Sequence, residues 1–324
     1  MRKILVLIFS IITVLALSIH FFGLQIGLAL FDKPLYIVPP SVYRLTKDAL
    51  SIMENYGVYA KETGFEKEIP NYLAQVKKDD SFDDVVPMLN HAIKQAGGEH
   101  SALIEVQEDD STFFNPALLT FPRVLIEDNI ATLILPSFPA SDEENVRTYV
   151  TTALEQLSNM SDLQGVIIDL RGNHGGNMMP MLGACAPFLK DGKLFEFISP
   201  HKKIPVFKKD GEIRFEENRL SLPTNADFHN LPIAVLTDHQ TASSAEVLLI
   251  ALLGQERVST FGEETAGYAT GVSMIPLYGK YALSLAGAKI KGTNGILYEE
   301  KPILPDVITD HPEKAALEWL EGNE

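Results

Sequence analysis

A serine between two apolar runs is the residue whose type and position best suit chemistry. Ser243 follows LPIAVL at 231–236, which predicts a buried strand, and precedes residues 246–253, which predict a helix. The first N–H groups of a helix have no partner within it and favour negative charge, so this position suits an oxyanion. The residue also fits a capping box, Ser243-x-x-Glu246, which is a commoner role for serine. The two roles are compatible, because a nucleophile can occupy the start of a capped helix.

A glycine-rich turn upstream is the second element suited to chemistry. The apolar strand GVII at 165–168 leads into DLRGNHGG, which ends at Gly176. Glycine adopts positive φ at little cost, so Gly172, Gly175 and Gly176 can turn backbone N–H groups into a concave site. Alone, these glycines predict only a tight turn. Together with the serine segment, they predict a site that binds an oxyanion.

The candidate bases are histidines. His100 lies in GGEHSAL, at the corner where a predicted helix turns into a strand. His174 and His239 rank below it, because each flanks a turn that presents backbone groups. Cys185 lies in MLGACAPFL, and apolar burial raises the pKa of a thiol and makes it a poor nucleophile. One cysteine can form no intrachain disulfide, and the sequence predicts neither a metal site nor a cofactor.

The composition is that of a globular protein with 324 residues, of which 46% are hydrophobic and 22% are charged. This length predicts one large domain and a smaller attachment. The net charge of -16 argues against binding to nucleic acid, which requires basic surface.

The first segment, residues 1–31, predicts a membrane anchor. After Arg2 and Lys3, residues 4–31 are apolar apart from a few polar side chains, and about 20 such residues span a bilayer. An uncleaved anchor is favoured over a signal peptide because no A-x-A-like site is convincing. The alternative is cleavage near 16–18, which would give a secreted protein. The basic pair predicts a cytoplasmic N-terminus and an extracytoplasmic domain on a single-pass protein of the cell membrane.

The remaining chain divides where its pattern changes. Residues 32–115 show helical spacing of apolar positions and predict a helical cap, which contains His100. Residues 116–324 alternate short buried strands with helices and predict an α/β core. The predicted elements are helices at 43–56 and 82–93 in the cap, and a strand at 131–138 and a helix at 143–157 in the core.

Five motifs resemble those of one enzyme family. DLRGNHGG resembles the DLRxNxGG loop of the tail-specific, or C-terminal processing, serine peptidases. NIATLILPSF, TASSAE, VSTFGEETAG and YEEKPILPDV resemble further elements of that family, in the same order over residues 98–307. One motif would be weak, but five in order are specific. The resemblance implies a crotonase-like α/β core of the spiral β/α type.

The resemblance also implies the parts of a serine peptidase site. In the family the reacting serine lies three residues before the glutamate of the segment, which selects Ser243. The oxyanion hole uses the N–H of the next residue, here Ser244. It also uses the N–H of a glycine in the DLRxNxGG loop, here Gly175, with Gly176 as the other choice.

The base separates two branches of the family. The branch with a serine–lysine dyad has its lysine in GExTxGKG, where this chain has Tyr268, and no motif covers Lys280 or Lys289. The branch resembling the tricorn protease core uses a histidine and a glutamate, which correspond to His100 and Glu299. The assignments left open are Ser101 or Glu99 as a helper of the histidine, and Glu300 in place of Glu299.

The sequence therefore predicts a membrane-anchored serine peptidase that hydrolyses protein or peptide substrates outside the cytoplasm through an acyl-enzyme. With neutral His100 as the base, activity should rise through about pH 6 to 7.5. Two alternatives use the same fold: a ligand-binding protein resembling the retinoid-binding relatives, and an esterase for small molecules. The pattern specifies neither the identity of the substrate nor the oligomeric state.

Overall fold

The chain folds as two compact units. The computed structural model describes residues 2–106, 119–140, 142–158, 160, 162–223 and 226–322. The first unit combines Met1–Asp110 with Val272–Ala288, and the second combines Ser111–Gly271 with Lys289–Glu324. Each unit is therefore built from segments that are distant in sequence.

Helices and strands alternate through the second half of the chain, as the pattern predicts. The helices are α1 (Arg2–Phe31), α2 (Val42–Tyr56), α3 (Ala60–Thr63), α4 (Ile69–Leu73), α5 (Phe82–Gly97), α6 (Glu143–Ser158), α7 (Met178–Ala184), α8 (Ser244–Leu253) and α9 (Pro312–Glu321). The strands are β1 (Ala102–Glu105), β2 (Arg123–Glu127), β3 (Ile130–Ile134), β4 (Gly165–Asp169), β5 (Gly192–Ile198), β6 (Lys203–Lys209), β7 (Glu212–Phe215), β8 (Asn218–Ser221), β9 (Ile233–Thr237), β10 (Val258–Gly262), β11 (Thr270–Pro276), β12 (Tyr281–Gly292), β13 (Leu297–Tyr298) and β14 (Val307–Ile308).

The first unit is mainly helical. Helix α2 begins where the side chain of Ser41 accepts the N–H of Arg44, and α5 begins at a capping box between Ser81 and Asp84. Both helices are amphipathic and lie where the apolar spacing predicts them. Each buries one face in the core of the unit.

A late segment of the chain completes that core. Strand β1 pairs antiparallel with the start of β12, with Leu103 opposite Leu283. The late segment Val272–Ala288 packs four apolar side chains against those of the helices. They are Ile275, Leu277, Leu283 and Leu285. The core of the helical unit is therefore incomplete without Val272–Ala288.

The second unit is built on a six-stranded sheet with the order β14-β10-β9-β4-β3-β2. All neighbours are parallel except β2 and β3, which form a hairpin. Every residue of β4 and β9 is buried, as expected for central parallel strands. Helix α9 packs on the sheet through Ala316 and Leu320, which contact Leu236 and Phe261.

A second set of strands, β5 to β8, forms an antiparallel meander within the same unit. The last residues of β12 pair antiparallel with β5, with Ile290 opposite Phe197.

The predicted α/β class is confirmed by these elements, whereas the crotonase-like assignment, the helical cap and the boundaries of the cap stay predictions. The predicted boundary between 115 and 116 lies outside the described residues. Strand β3 is shorter than predicted and ends before Pro136, which cannot donate to a ladder.

Helix α1 is long and apolar enough to cross a membrane from Lys3 to Phe31. None of the residues in its most apolar window is buried. These properties fit either a single-pass anchor or a signal sequence.

A paired contact fixes the last strand, β14, beside β10. Asp306 Oδ2 accepts the N–H and the hydroxyl of Thr260, both at 2.9 Å, and Thr260 Oγ1 accepts the Asp306 N–H at 2.8 Å. Thr260 is only 2% exposed, so its N–H has no solvent to replace a lost partner.

Asp306→Ala should therefore lower the free energy of unfolding by about 1 to 3 kcal/mol, because it leaves that buried N–H without a partner. Urea denaturation measures the change. The exposed Asp310, replaced by alanine, is the matched control and should change it by less than about 0.5 kcal/mol. Equal effects of the two substitutions would contradict the assigned role of Asp306.

Candidate active site

The candidate site lies at the carboxyl ends of two neighbouring strands. β4 ends at Asp169 and β9 ends at Thr237, and these parallel strands pair with Asp169 beside Leu236. The loops that follow them therefore emerge at the same edge of the sheet, where α/β proteins place their sites. One loop is the glycine-rich turn DLRGNHGG, and the other leads to Ser243.

Ser243 occupies a strained turn between β9 and α8. Its backbone has φ 54° and ψ -117°, which L-residues rarely adopt. It is the N-cap of α8 and forms the predicted capping box with Glu246. In that role the serine oxygen is an acceptor, so its hydroxyl proton remains available to a base. A strained turn from a strand into a helix also presents the nucleophile of α/β-hydrolases.

The carboxylate of Glu246 holds this turn. Its Oε2 accepts the N–H groups of Ser243 at 2.9 Å and Tyr268 at 2.8 Å. Its Oε1 accepts the Thr265 hydroxyl at 2.5 Å and the Gly267 N–H at 2.9 Å. Burial raises the pKa of Glu246, and the four hydrogen bonds oppose that rise because they stabilise the charged form. The side chain is fully buried, so it positions the turn and does not face solvent.

Gly175 lies against the serine turn. Its φ is 92°, and a Cβ at this position would lie 2.8 Å from Ala242 O, from Ser243 Cβ and from Ser244 N. No other residue fits there unless the turn moves. The glycine therefore allows the two loops to meet.

Two backbone N–H groups beside the serine are available to an oxyanion. Within the described part of the chain, neither the N–H of Ser244 nor that of Gly176 makes a hydrogen bond. The N–H of Gly175 instead donates to Asn173 Oδ1 at 2.9 Å. The Ser244 hydroxyl donates to the Gly176 carbonyl at 2.5 Å and so links the two loops. Of the two glycines that the sequence offers, Gly176 has the N–H that is left for an oxyanion, and its role as the donor stays a prediction.

Two side chains outside the predicted set hold these loops together. Asn173 is fully buried, its side-chain Nδ2 donates to Leu135 O at 2.9 Å, and its backbone carbonyl accepts the Ala242 N–H at 2.9 Å. Asp238 Oδ2 accepts the Gly172 N–H at 3.0 Å. The asparagine of the DLRxNxGG pattern is a sequence signal for Asn173, whereas no sequence pattern marks Asp238.

Glu299 belongs to the same unit and follows β13. Its Oε1 lies 2.5 Å from Lys301 Nζ and its Oε2 lies 3.1 Å from Lys289 Nζ. Hydrogen bonds hold the pKa of Glu299 below its ordinary value, and the bond from Lys301 contributes more than the bond from Lys289. The carboxylate is charged and engaged by two ammonium groups, and its predicted role toward a histidine stays a prediction.

His100 belongs to the first unit, in the turn between α5 and β1. Burial lowers its pKa to about 4, so the imidazole is neutral at pH 7, as a general base requires. The buried Ser101 accepts the Ala286 N–H at 2.9 Å, and Glu99 pairs with Lys94. That His100 acts as the base for Ser243 stays a prediction.

The rival bases have partners of their own. His239 Nδ1 lies 2.8 Å from Glu263 Oε2, and this hydrogen bond raises the pKa of His239. Lys280 Nζ lies 3.1 Å from Glu105 Oε1 and 3.4 Å from Asp83 Oδ2, and these carboxylates raise its pKa. A charged ammonium has no lone pair to accept a proton at neutral pH.

The other residues singled out from the sequence have backbone or packing roles. The backbone of Tyr268 donates to Glu246, and the N–H of His174 donates to Ser137 Oγ at 2.7 Å. Cys185 is buried, which raises the pKa of its thiol. Among the residues that the structure describes, no group of histidine, cysteine, aspartate and glutamate could hold a metal ion.

Gly175→Ala should reduce kcat by about 100-fold, because the added Cβ displaces the serine turn and a shift of this size misplaces the nucleophile. Gly172→Ala is the matched control: its φ is 67° and a Cβ there would meet nothing within 4 Å. It should cost about 1 kcal/mol of stability and leave kcat nearly unchanged. Steady-state kinetics on a peptide substrate compares them. Equal losses in both variants would show that backbone strain, and not the contact with the turn, is the cause.

Several known proteins are similar to this chain in sequence, and one solved structure is similar to it in both sequence and fold. The family model Peptidase family S41 matches residues 129–309. The nisin-resistance protein of Lactococcus lactis subsp. lactis is 31% identical over 290 residues, which cover 89% of this chain and 90% of that protein. The carboxy-terminal processing protease CtpA of Bacillus subtilis (strain 168) is 27% identical over 200 residues, which cover 61% of this chain and 38% of that protein.

A solved structure of a lipoprotein from Streptococcus agalactiae superposes with a TM-score of 0.71 at 27% identity, and the match covers 90% of this chain and 99% of that one. The resemblance to the C-terminal processing peptidases is thereby confirmed. The chain belongs to peptidase family S41, a family of serine hydrolases.

Proposed function

We propose that the protein is a membrane-anchored serine endopeptidase whose catalytic residues act outside the cytoplasm. The observation that best supports this function is the strained Ser243 turn, with the N–H groups of Ser244 and Gly176 beside it. A nucleophile and two donors around one carbonyl are the parts that acyl transfer requires. The fold itself is proposed to be of the crotonase-like kind.

The proposed reaction begins when Ser243 Oγ attacks the carbonyl of the scissile bond. The N–H groups of Ser244 and Gly176 hold the oxyanion. His100 removes the serine proton and then gives it to the leaving amine. Water, activated by the same histidine, hydrolyses the acyl-enzyme. Glu299 is proposed to stabilise the imidazolium electrostatically.

The proposed location is supported by helix α1. Residues 4–31 form an apolar helix long enough to span a bilayer, and Arg2 and Lys3 precede it. Positive charge favours the cytoplasmic side, so the two folded units are proposed to lie on the outer face.

A fluorophosphonate probe tests the nucleophile. It should label the detergent-solubilised full chain, and Ser243→Ala should abolish labelling. His100→Ala should slow labelling by about 10² to 10⁴-fold, because the base no longer removes the proton. In peptide hydrolysis, the Ser243→Ala/His100→Ala double variant should lose little more turnover than either single variant, since the two residues act as a unit. His239→Ala is the matched control and should label normally. A folded wild-type protein that never reacts would favour the ligand-binding alternative.

The pH profile tests the base. Because burial lowers the pKa of His100 to about 4, neutral imidazole persists down to that pH. The acid limb of kcat/KM should therefore fall near pH 4, below the range of 6 to 7.5 expected from an unperturbed histidine. An uncharged peptide substrate is used so that its own groups do not titrate. An acid limb above about pH 6 would contradict the burial of His100 in the active protein.

A narrower role follows from one relative. The nisin-resistance protein matches this chain over nearly the full length of both, so we propose that the substrate is a nisin-like antimicrobial peptide. The acidic net charge of -16 suits a cationic peptide, since opposite charges raise the rate of encounter.

Expression of the full chain in a nisin-sensitive bacterium should raise the minimal inhibitory concentration of nisin. Ser243→Ala should remove this protection while the protein level stays the same. Mass spectrometry of nisin incubated with the purified protein checks for a cleaved product. Protection that persists in the Ser243→Ala variant would contradict peptide cleavage as its cause.

A further inference from the structure

Helix α1 changes its surroundings along its length. From Ile4 to Leu15 every residue is exposed, as expected for a segment that faces lipid. Further along, Gly23 and Gly27 are buried, and Leu24 packs with its neighbours against the core of the first unit. The last part of the helix is therefore a component of the folded unit.

A strap, residues 33–38, docks on that part of the helix. The Leu35 N–H donates to Gly23 O at 3.0 Å, and the Lys33 N–H donates to Gly27 O at 3.4 Å. A Cβ on Gly23 would lie 2.1 Å from Leu35 O, and a Cβ on Gly27 would lie 2.2 Å from Lys33 O. The backbones meet only because both helix positions are glycine. Since Lys33 lies beside Gly27 and Leu35 beside Gly23, the strap runs back toward the start of the helix.

A kink marks where the docked part begins. Phe22 has φ -120° and ψ 19°, which are not helical values. Residues 2–22 would extend about 30 Å at 1.5 Å per residue, the thickness of the hydrocarbon core of a bilayer. Next to the kink, Arg44 Nη2 donates to His20 O at 2.6 Å. The guanidinium thus satisfies a backbone carbonyl at the level where the lipid is expected to end.

Exposed apolar side chains lie near the kink in α1, in the helix, in the strap and at the start of α2. Phe21 and Phe22 are 69% and 59% exposed on the helix. On the strap, Ile37 and Val38 are 47% and 57% exposed. They follow closely on Leu35, whose N–H bonds to Gly23 O next to the kink. Tyr43, next to Arg44, is 52% exposed. We call Phe21, Phe22, Ile37, Val38 and Tyr43 the collar.

We propose that the collar inserts into the outer interface of the lipid bilayer and holds the first unit rigidly against it. Aromatic and aliphatic side chains at this depth gain free energy by leaving water. Because the strap is fixed to the helix by backbone contacts, the unit does not hang from a flexible linker. The inference rests on the proposed membrane anchoring.

Depth-dependent quenching tests the proposal. The full chain, with an environment-sensitive fluorophore on Val38→Cys, is reconstituted into vesicles of phosphatidylcholine and phosphatidylglycerol that contain nitroxide lipids. The native Cys185 is fully buried, so the wild-type protein is the unlabelled blank. Leu15→Cys reports insertion of the anchor, and Lys61→Cys, exposed on α3, reports a position in water.

The expected result is loss of fluorescence at position 38 with nitroxides near the headgroup, and at position 15 with nitroxides deep in the chains. Position 61 should keep its fluorescence with both lipids. If position 38 behaves like position 61 while position 15 is quenched, the anchor inserts but the collar does not, and the proposal is overturned. If position 15 is not quenched either, the anchoring itself is wrong.

A second variant tests what holds the collar in place. Gly27→Leu should push the strap away from the helix, because its side chain would meet the backbone of Lys33. It should remove the quenching at position 38 and leave that at position 15. Ala29→Leu, on the exposed side of the same turn, is the matched control and should change neither. Full quenching at position 38 in the Gly27→Leu variant would show that the docked strap is not the cause.

Discussion

The buried carboxylate of Glu246 is the contact on which the site depends. It joins the N–H of Ser243 to the loop that contains Thr265 and Tyr268, through four hydrogen bonds. A buried charge is costly unless it is satisfied in this way, so the loop and the turn stabilise each other through it. The same carboxylate stabilises a serine backbone at positive φ. Without it, the strained turn would lack its main support.

The second constraint is the approach of two backbones. Asn173 fixes the glycine-rich turn to Leu135, the residue after β3, and to the serine turn. Gly175 leaves no space for a side chain between the two turns. Because Asn173 Oδ1 also accepts the N–H of Gly175, the N–H groups that make no hydrogen bond among the described residues of these loops include those of Gly176 and Ser244. The loop is thus arranged before any substrate binds, which is the condition for electrostatic stabilisation of a transition state.

Local sequence patterns predicted many of the helices, strands and turns that form the candidate site. Apolar runs and capping residues gave the strands and helices around Ser243, because these signals act over a few residues. The motif order predicted the glycine-rich turn and selected Ser243, whose role as the nucleophile stays a prediction. The sequence did not predict that Lys289 lies at Glu299, since that contact depends on the pairing of β12 with β13, where Ile290 faces Tyr298. Nor could it predict the low pKa of His100, which follows from burial within a tertiary fold.

The first unit closes around residues that come late in the chain. Four of its buried core residues lie in Val272–Ala288, after most of the second unit. During synthesis from the N-terminus, α2 and α5 therefore leave the ribosome with part of their apolar faces uncovered. Contacts between such distant segments form slowly, and the open faces can aggregate in the meantime. The part of the protein that is made first is thus among the last to be completed, and a nascent chain shorter than about 288 residues is expected to require a chaperone.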